Sequence, residues 1–104
     1  VRAGNLFFVS GQTPRDPATG ELVGTTIEEQ TRYTLANVQR VLHAGGLNLA
    51  HVVSVTIYLT DEENWGVVNQ IYQSVFSSPF PTRAVVGASL RGILVEISAI
   101  AYVP

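Results

Sequence analysis

The sequence predicts a small α+β domain, α/β in the broad sense, with element order ββαβαββ and one sheet carrying two helices on one face. Three observations lead there. Strand-like segments open, divide and close the chain; two amphipathic helical segments separate them; and 104 residues suffice for one hydrophobic core and little more, so residues 1–104 are read as a single domain.

The first apolar segment, Asn5 to Ser10, reads as a strand, and Pro14 to Gly20 is dense in turn formers. Glu21-Leu22-Val23 is expected to form a short return strand. Thr25 and Thr26 each stand three residues before a glutamate, Glu28 and Glu29. In that spacing a hydroxyl and a carboxylate satisfy the free amides of a helix start, so a helix is expected from about Ile27. Ile27, Leu35, Val38 and Leu42, with Thr31 between them, form its apolar stripe, and Gly45-Gly46 end it after about five turns. Val52 to Leu59 is rich in β-branched residues and nearly free of charge on either side, as in a strand buried on both faces. Thr60 followed by Glu63 repeats the capping spacing. Trp65, Val68, Ile71, Tyr72, Val75 and Phe76 then line one face of a second helix, which Pro79 and Pro81 end. Thr82 to Ala88 and Ile93 to Val103 read as two strands joined by a hairpin turn at Ser89-Leu90-Arg91-Gly92.

Composition narrows the function. Only 13% of residues are charged against 46% hydrophobic, too few charges to cover an isolated sphere of this size, where about 25% is usual. Two helices cover one face of a sheet, yet the middle and last strands carry apolar residues toward both, so a symmetric homo-oligomer is expected. A net charge of -2 without any basic cluster argues against nucleic acid or an anionic membrane as partner. All six cations are arginine, which removes Schiff-base lysine chemistry. The absence of cysteine removes thiol catalysis, disulfides and thiolate-held metals. No apolar run reaches the roughly 18–20 residues that span a bilayer, and a cytoplasmic location is expected. With no methionine and Val1 at its start, the chain is expected to be part of a longer one whose N-terminal segment is missing.

From Asn64 to Pro104 the only charged residues are Arg83, Arg91 and Glu96. Glu96 lies in the apolar run Ile93 to Ile100, where an unpaired buried carboxylate would cost several kcal/mol or stay protonated. A tight hairpin at 89–91 would set Arg83 opposite positions 96–98 and let the two face one pocket. Either they form a structural ion pair or they form a site in which the planar arginine fork grips a carboxylate. Arg91, in the turn, is expected to be solvated. His43 and His51 have no partner at metal or catalytic spacing, so no metal site is assigned. Ser10-Gly11-Gln12 lacks the repeated glycines and following helix of a phosphate-binding loop, and Trp65 and Tyr72 are read as core.

The segments Ala3 to Gln12, Asp16 to Gly20, Thr34 to Val38, Ala44 to Leu47, Val53 to Asp61, Val68 to Tyr72, Pro81 to Val86 and Leu94 to Ala99 together resemble the Rid (reactive intermediate deaminase, YjgF-type) family over essentially the whole chain. The resemblance implies a chorismate-mutase-like ββαβαββ fold and a homotrimer with clefts between neighbouring subunits. It also implies hydrolysis of enamines and imines such as 2-aminoacrylate and 2-iminopropanoate to 2-keto acids and ammonia, without metal or organic cofactor. By the matching motifs, Arg83 would hold the substrate carboxylate and Glu96 the attacking water, with Asn69, Ser10, Gly11 and the backbone around Val85 lining the cleft. The chain departs from the family at Val85, where many deaminating members have cysteine, and at Ser89 to Gly92, which replaces a proline-containing turn. The upstream stretch that carries a cleft tyrosine in the family would be expected before Val1. The alternative is a non-catalytic trimer, a sensor or scaffold, that binds small carboxylates through Arg83.

Overall fold

Thr26 caps the first helix as its spacing predicts. In the computed structural model of the chain, which describes residues 1–104, its side chain accepts from the Glu29 amide at 3.1 Å while the Glu29 carboxylate accepts from the Thr26 amide at 3.2 Å. The same carboxylate takes the Thr25 amide at 3.0 Å, so the Thr25–Glu28 pair of the sequence does not cap. Helix α1 runs Ile27–Ala44 and ends at Gly45, whose amide reaches back to Leu42 at 3.0 Å.

Around it lie strands β1 (Arg2–Ala3), β2 (Leu6–Gln12), β3 (Val52–Leu59), β4 (Thr82–Gly87) and β5 (Val95–Tyr102), with helix α2 at Trp65–Val75. The order is ββαβαββ, though one of its two opening strands is not the expected one. Arg2–Ala3 supplies the extra strand, while Glu21 to Val23 contributes only a bridge between Leu22 and Arg15 outside the sheet. Proline explains the difference: with Pro14 and Pro17 flanking it, that arm has few amides to give, and its links are Asp16 N to Glu21 O and Val23 N to Pro14 O.

The five strands form one sheet in the order β1-β2-β5-β3-β4. Strand β5 pairs antiparallel with both β2 and β3, and β4 pairs parallel with β3. The expected β4–β5 hairpin is therefore absent. A strand, a helix and a second strand in succession, β3-α2-β4, form a parallel crossover that carries β4 to the sheet edge, and residues 88–94 bring the chain back to the centre. Thr60 does not cap α2. Its amide bonds Leu94 O at 3.2 Å, extending the β3–β5 edge, and Asp61 caps a 3-10 turn (Glu62–Asn64) that leads into the helix.

Strand alternation assigns the faces. Val55, Ile57 and Leu59 of β3 lie opposite Ala99, Ile97 and Val95 of β5, all buried, and pack with Leu35, Val38 and Leu42 of α1 and Val68 and Ile71 of α2. At about 1.5–3 kcal/mol per buried side chain, this layer is the main source of stability. The other face carries Ser54, Thr56 and Tyr58 of β3 and Glu96, Ser98, Ile100 and Tyr102 of β5, partly or fully exposed. In the single chain β3 is thus covered on one side only, because no helix reaches the other. Leu6, Phe8 and Tyr102, each roughly 40% exposed, form an apolar patch on that uncovered face. No helix is long and apolar enough to cross a membrane.

Candidate functional site

Two clusters hold the residues singled out from the sequence, and they lie on opposite faces of the sheet. Arg83 pairs with Val55 across the parallel ladder and so points to the helix side. There its Nη1 donates to Asn69 Oδ1 on α2 at 2.7 Å. Its guanidinium carbon lies 4.6 Å from the Tyr72 ring centroid and 5.4 Å from that of Trp65. Trp65, Asn69 and Tyr72 are spaced i, i+4, i+7, so one stripe of α2 supplies both aromatic faces and the amide between them. Their π faces attract the cation, and the amide sets its rotation. Asn69 is its one hydrogen-bond partner, and no carboxylate pairs with it. The remaining donors open into a cavity of about 340 Å³ lined by Asn69, Tyr72, Gln73, Phe80, Pro81 and Arg83.

Tyr72 is buried, and its hydroxyl donates to Pro81 O at 3.2 Å. Burial pushes its pKa above the usual 10.0, with the Arg83 charge opposing that rise. Tyr72 therefore stays a neutral donor through the physiological range, and the cluster keeps one positive charge, on Arg83. Val85, two residues on along β4, faces the same side and packs on the core. It lines a second cavity of about 330 Å³ together with Trp65, the ring that also packs on Arg83.

Glu96 pairs with Tyr58 and points to the uncovered face, away from Arg83. It has neither an ion-pair nor a hydrogen-bond partner in the chain; the one ion pair is Arg32–Glu28 on the surface of α1. The expected juxtaposition of Arg83 and Glu96 within one chain, whether as site or as structural pair, is thus overturned: it depended on the hairpin that β4 and β5 do not form. Glu96 instead lies over Gly11, where an added Cβ would fall on the carboxylate, 2.9 Å from its Cδ. A β-bulge separates Val9 from Gln12 at this point, and Ser10 is exposed beside it. Glycine is the residue that leaves this room.

The structure therefore brings Arg83, Asn69 and Val85 together on one side, and Glu96, Ser10 and Gly11 on the other. Trp65, expected in the core, is 47% exposed and packs on Arg83. Neither it nor Tyr72 was recognised as part of a site from the sequence, although their helical spacing about Asn69 was the available signal. Arg91 is exposed, its side chain unbonded and its carbonyl accepting from Arg15 at 3.3 Å. His43 ends α1 in solvent, and His51 accepts from the Asn48 amide at 3.0 Å through Nδ1.

The family model described as Endoribonuclease L-PSP matches residues 1–103. The chain is 41% identical to the RutC family protein PH0854 of Pyrococcus horikoshii, over 98% of this chain and 82% of that one. It is 40% identical to the 2-iminobutanoate/2-iminopropanoate deaminase of Bos taurus, over 97% of this chain and 75% of that one. The crystal structure of E. coli TdcF with bound serine superposes with a TM-score of 0.89 at 31% identity, over 100% of this chain and 85% of that one.

Proposed function

The chain belongs to the Endoribonuclease L-PSP family, the YjgF/RutC/Rid group, and from that premise we propose that it hydrolyses reactive 2-imino acids, of the 2-iminopropanoate and 2-aminoacrylate type, to 2-keto acids and ammonia. The observation that carries this reading is the guanidinium of Arg83, turned by Asn69, held between Trp65 and Tyr72, and without a carboxylate of its own. A fork so oriented and so unsatisfied fits a small carboxylate in two parallel bonds. The deaminase name of the bovine relative and the serine bound in TdcF support a ligand of amino-acid shape.

Because Arg83 and Glu96 face opposite ways, the reading places the working cleft between copies. Arg83, Asn69 and Val85 come from one subunit, and Glu96, Ser10 and Gly11 from its neighbour. The apolar patch of Leu6, Phe8 and Tyr102 supports contact of the uncovered face with another copy. A homotrimer, with three such clefts, is the assembly proposed.

In the cleft, Arg83 fixes the imino acid by its carboxylate with the C=N carbon toward Glu96. Water adds to that carbon as its proton passes to the Glu96 carboxylate, giving a carbinolamine. Glu96 returns the proton to nitrogen; the C–N bond then breaks as the new hydroxyl gives its proton back to Glu96 and becomes the ketone. The departing ammonia takes that proton. The sum is iminium and water to 2-keto acid and ammonium, with Glu96 restored. An iminium carbon is already electrophilic, so positioning and proton transfer suffice, without metal or organic cofactor, and Val85 need not be a nucleophile. The net charge of -2 gives RNA no electrostatic footprint, so the small-carboxylate reading is preferred to the nuclease in the family's name.

The test is ammonia release from imines generated in situ by an amino-acid oxidase, in the presence and absence of the protein. Acceleration over the spontaneous rate is expected. Keto-acid binding by calorimetry without any acceleration would replace the enzyme with a carboxylate-binding trimer.

A further inference from the structure

Beyond Val85, β4 continues to Gly87, and positions 83, 85 and 87 share the helix-side face of the sheet. Gly87 has no side chain, and the space is taken by a carboxylate: an added Cβ there would lie 2.6 Å from Glu62 Oε1. Glu62 stands in the 3-10 turn before α2 and has neither an ion-pair nor a hydrogen-bond partner through its side chain. The preceding Asp61 carboxylate, by contrast, accepts the Glu63 amide at 2.9 Å. Leu59, Trp65, Val85 and Val86 complete the cavity of about 330 Å³ over which Glu62 stands.

Along one edge strand the molecule thus presents an unpaired cation, an apolar wall and an unpaired anion in a line. Residues 83 and 87 are about 13 Å apart at the backbone, at roughly 3.3 Å per strand residue. A carboxylate, a short methylene chain and a terminal cation fit within an interval of that length, with Arg83 at one end and Glu62, over Gly87, at the other. Trp65, over Arg83 and in the wall of the cavity, provides a flat surface for the methylenes. An aliphatic side chain would leave the exposed Glu62 carboxylate to water, whereas a cation would pair with it.

We propose that Glu62 is a specificity-determining residue, selecting imino acids whose side chain ends in a cation, with Arg83 holding the α-carboxylate and the Leu59–Trp65–Val85–Val86 cavity taking the methylene chain. The inference rests on the deaminase reading above and names its substrate class. The reaction is unchanged: water and the iminium of a basic amino acid give the corresponding 2-keto acid and ammonium.

The test compares the arginine-derived imine with the citrulline-derived one, nearly the same shape with a neutral urea in place of the guanidinium. Both are generated in situ by an amino-acid oxidase and supplied to the full chain. The wild type is expected to favour the arginine imine on the order of tenfold in kcat/KM, the size of one charge-assisted contact at a partly exposed site. In Glu62→Gln the ratio should fall to about one, and in Glu62→Lys below one. The matching 2-keto acids are titrated in parallel by calorimetry. A wild-type preference that survives Glu62→Gln, or no preference in rate or affinity, overturns the proposal. If neither imine is turned over but the guanidino keto acid still binds more tightly through Glu62, the deaminase reading fails and the selectivity stands.

Discussion

Replacing Arg83 separates its role in the site from its role in the fold. Arg83→Ala removes one hydrogen bond to Asn69 and two cation–π contacts within the chain. At a half-exposed position the contacts contribute about 0.5–1 kcal/mol each, so the fold should survive with a modest loss. Toward substrate the loss is larger. Two charge-assisted bonds to a carboxylate, at about 1.5–3 kcal/mol each, correspond to roughly 10²-fold to 10⁴-fold in kcat/KM. Arg83→Lys keeps the charge without the planar fork, and its ammonium cannot serve Asn69 and both carboxylate oxygens in one plane. A loss of about 10²-fold is expected for it. Arg91→Ala is the control: its side chain makes no hydrogen bond, so its turnover should match the wild type. The assay is ammonia release from in situ imines, with thermal unfolding and native mass recorded for each variant. Near-normal turnover in Arg83→Ala, with fold and mass intact, would refute the reasoning and move the site elsewhere.

Other consequences follow from the same geometry. Gly11→Ala places a methyl on the Glu96 carboxylate and should lower kcat by about 10²-fold with little change in melting temperature, while Glu96→Gln should slow turnover more than it weakens keto-acid binding measured by calorimetry. Thr26→Ala removes the helix cap and should cost about 1 kcal/mol in chemical denaturation. The Glu29 carboxyl is held below its ordinary 4.5 by the Thr25 and Thr26 amides, so its contribution is present above pH 4.5 and lost as pH falls through the lower folded value; Glu29→Gln should flatten that acid limb. Tyr72 is raised above 10.0 mainly by burial, so stability falls as pH climbs from 10 toward the folded value, and Tyr72→Phe should flatten the alkaline limb in urea titrations.

Local signals were legible in the sequence where one residue settles the matter. Thr26 with Glu29 marked the helix start because no competing group claims the hydroxyl, and the β-branched run from Val52 to Leu59 marked an inner strand to the residue. The same reasoning failed at Thr60, because the β3–β5 ladder engages its backbone and Asp61 is better placed to cap. The larger error was topological. Ser89 to Gly92 has the composition of a hairpin turn, but composition does not state which strands a turn joins; the helix between β3 and β4 already implied a parallel crossover, and β5 fills the place between β2 and β3. That misplaced pairing put Arg83 and Glu96 on one face. With it corrected, the family resemblance still selects the same six residues, now divided three and three between opposite faces, and the aromatic pair around Arg83 becomes part of the site through tertiary contact.

That division makes the central claim testable by mixing two defective chains. Arg83→Ala and Glu96→Gln, each nearly inactive alone, are unfolded together in equal amounts and refolded, with mixed assemblies confirmed by native mass spectrometry. If every cleft takes Arg83 from one subunit and Glu96 from the next, random assembly leaves about a quarter of the clefts with both residues intact, and ammonia release should recover to about 25% of the wild-type rate. Mixed assemblies that recover no activity above the two variants alone would contradict a cleft shared between copies.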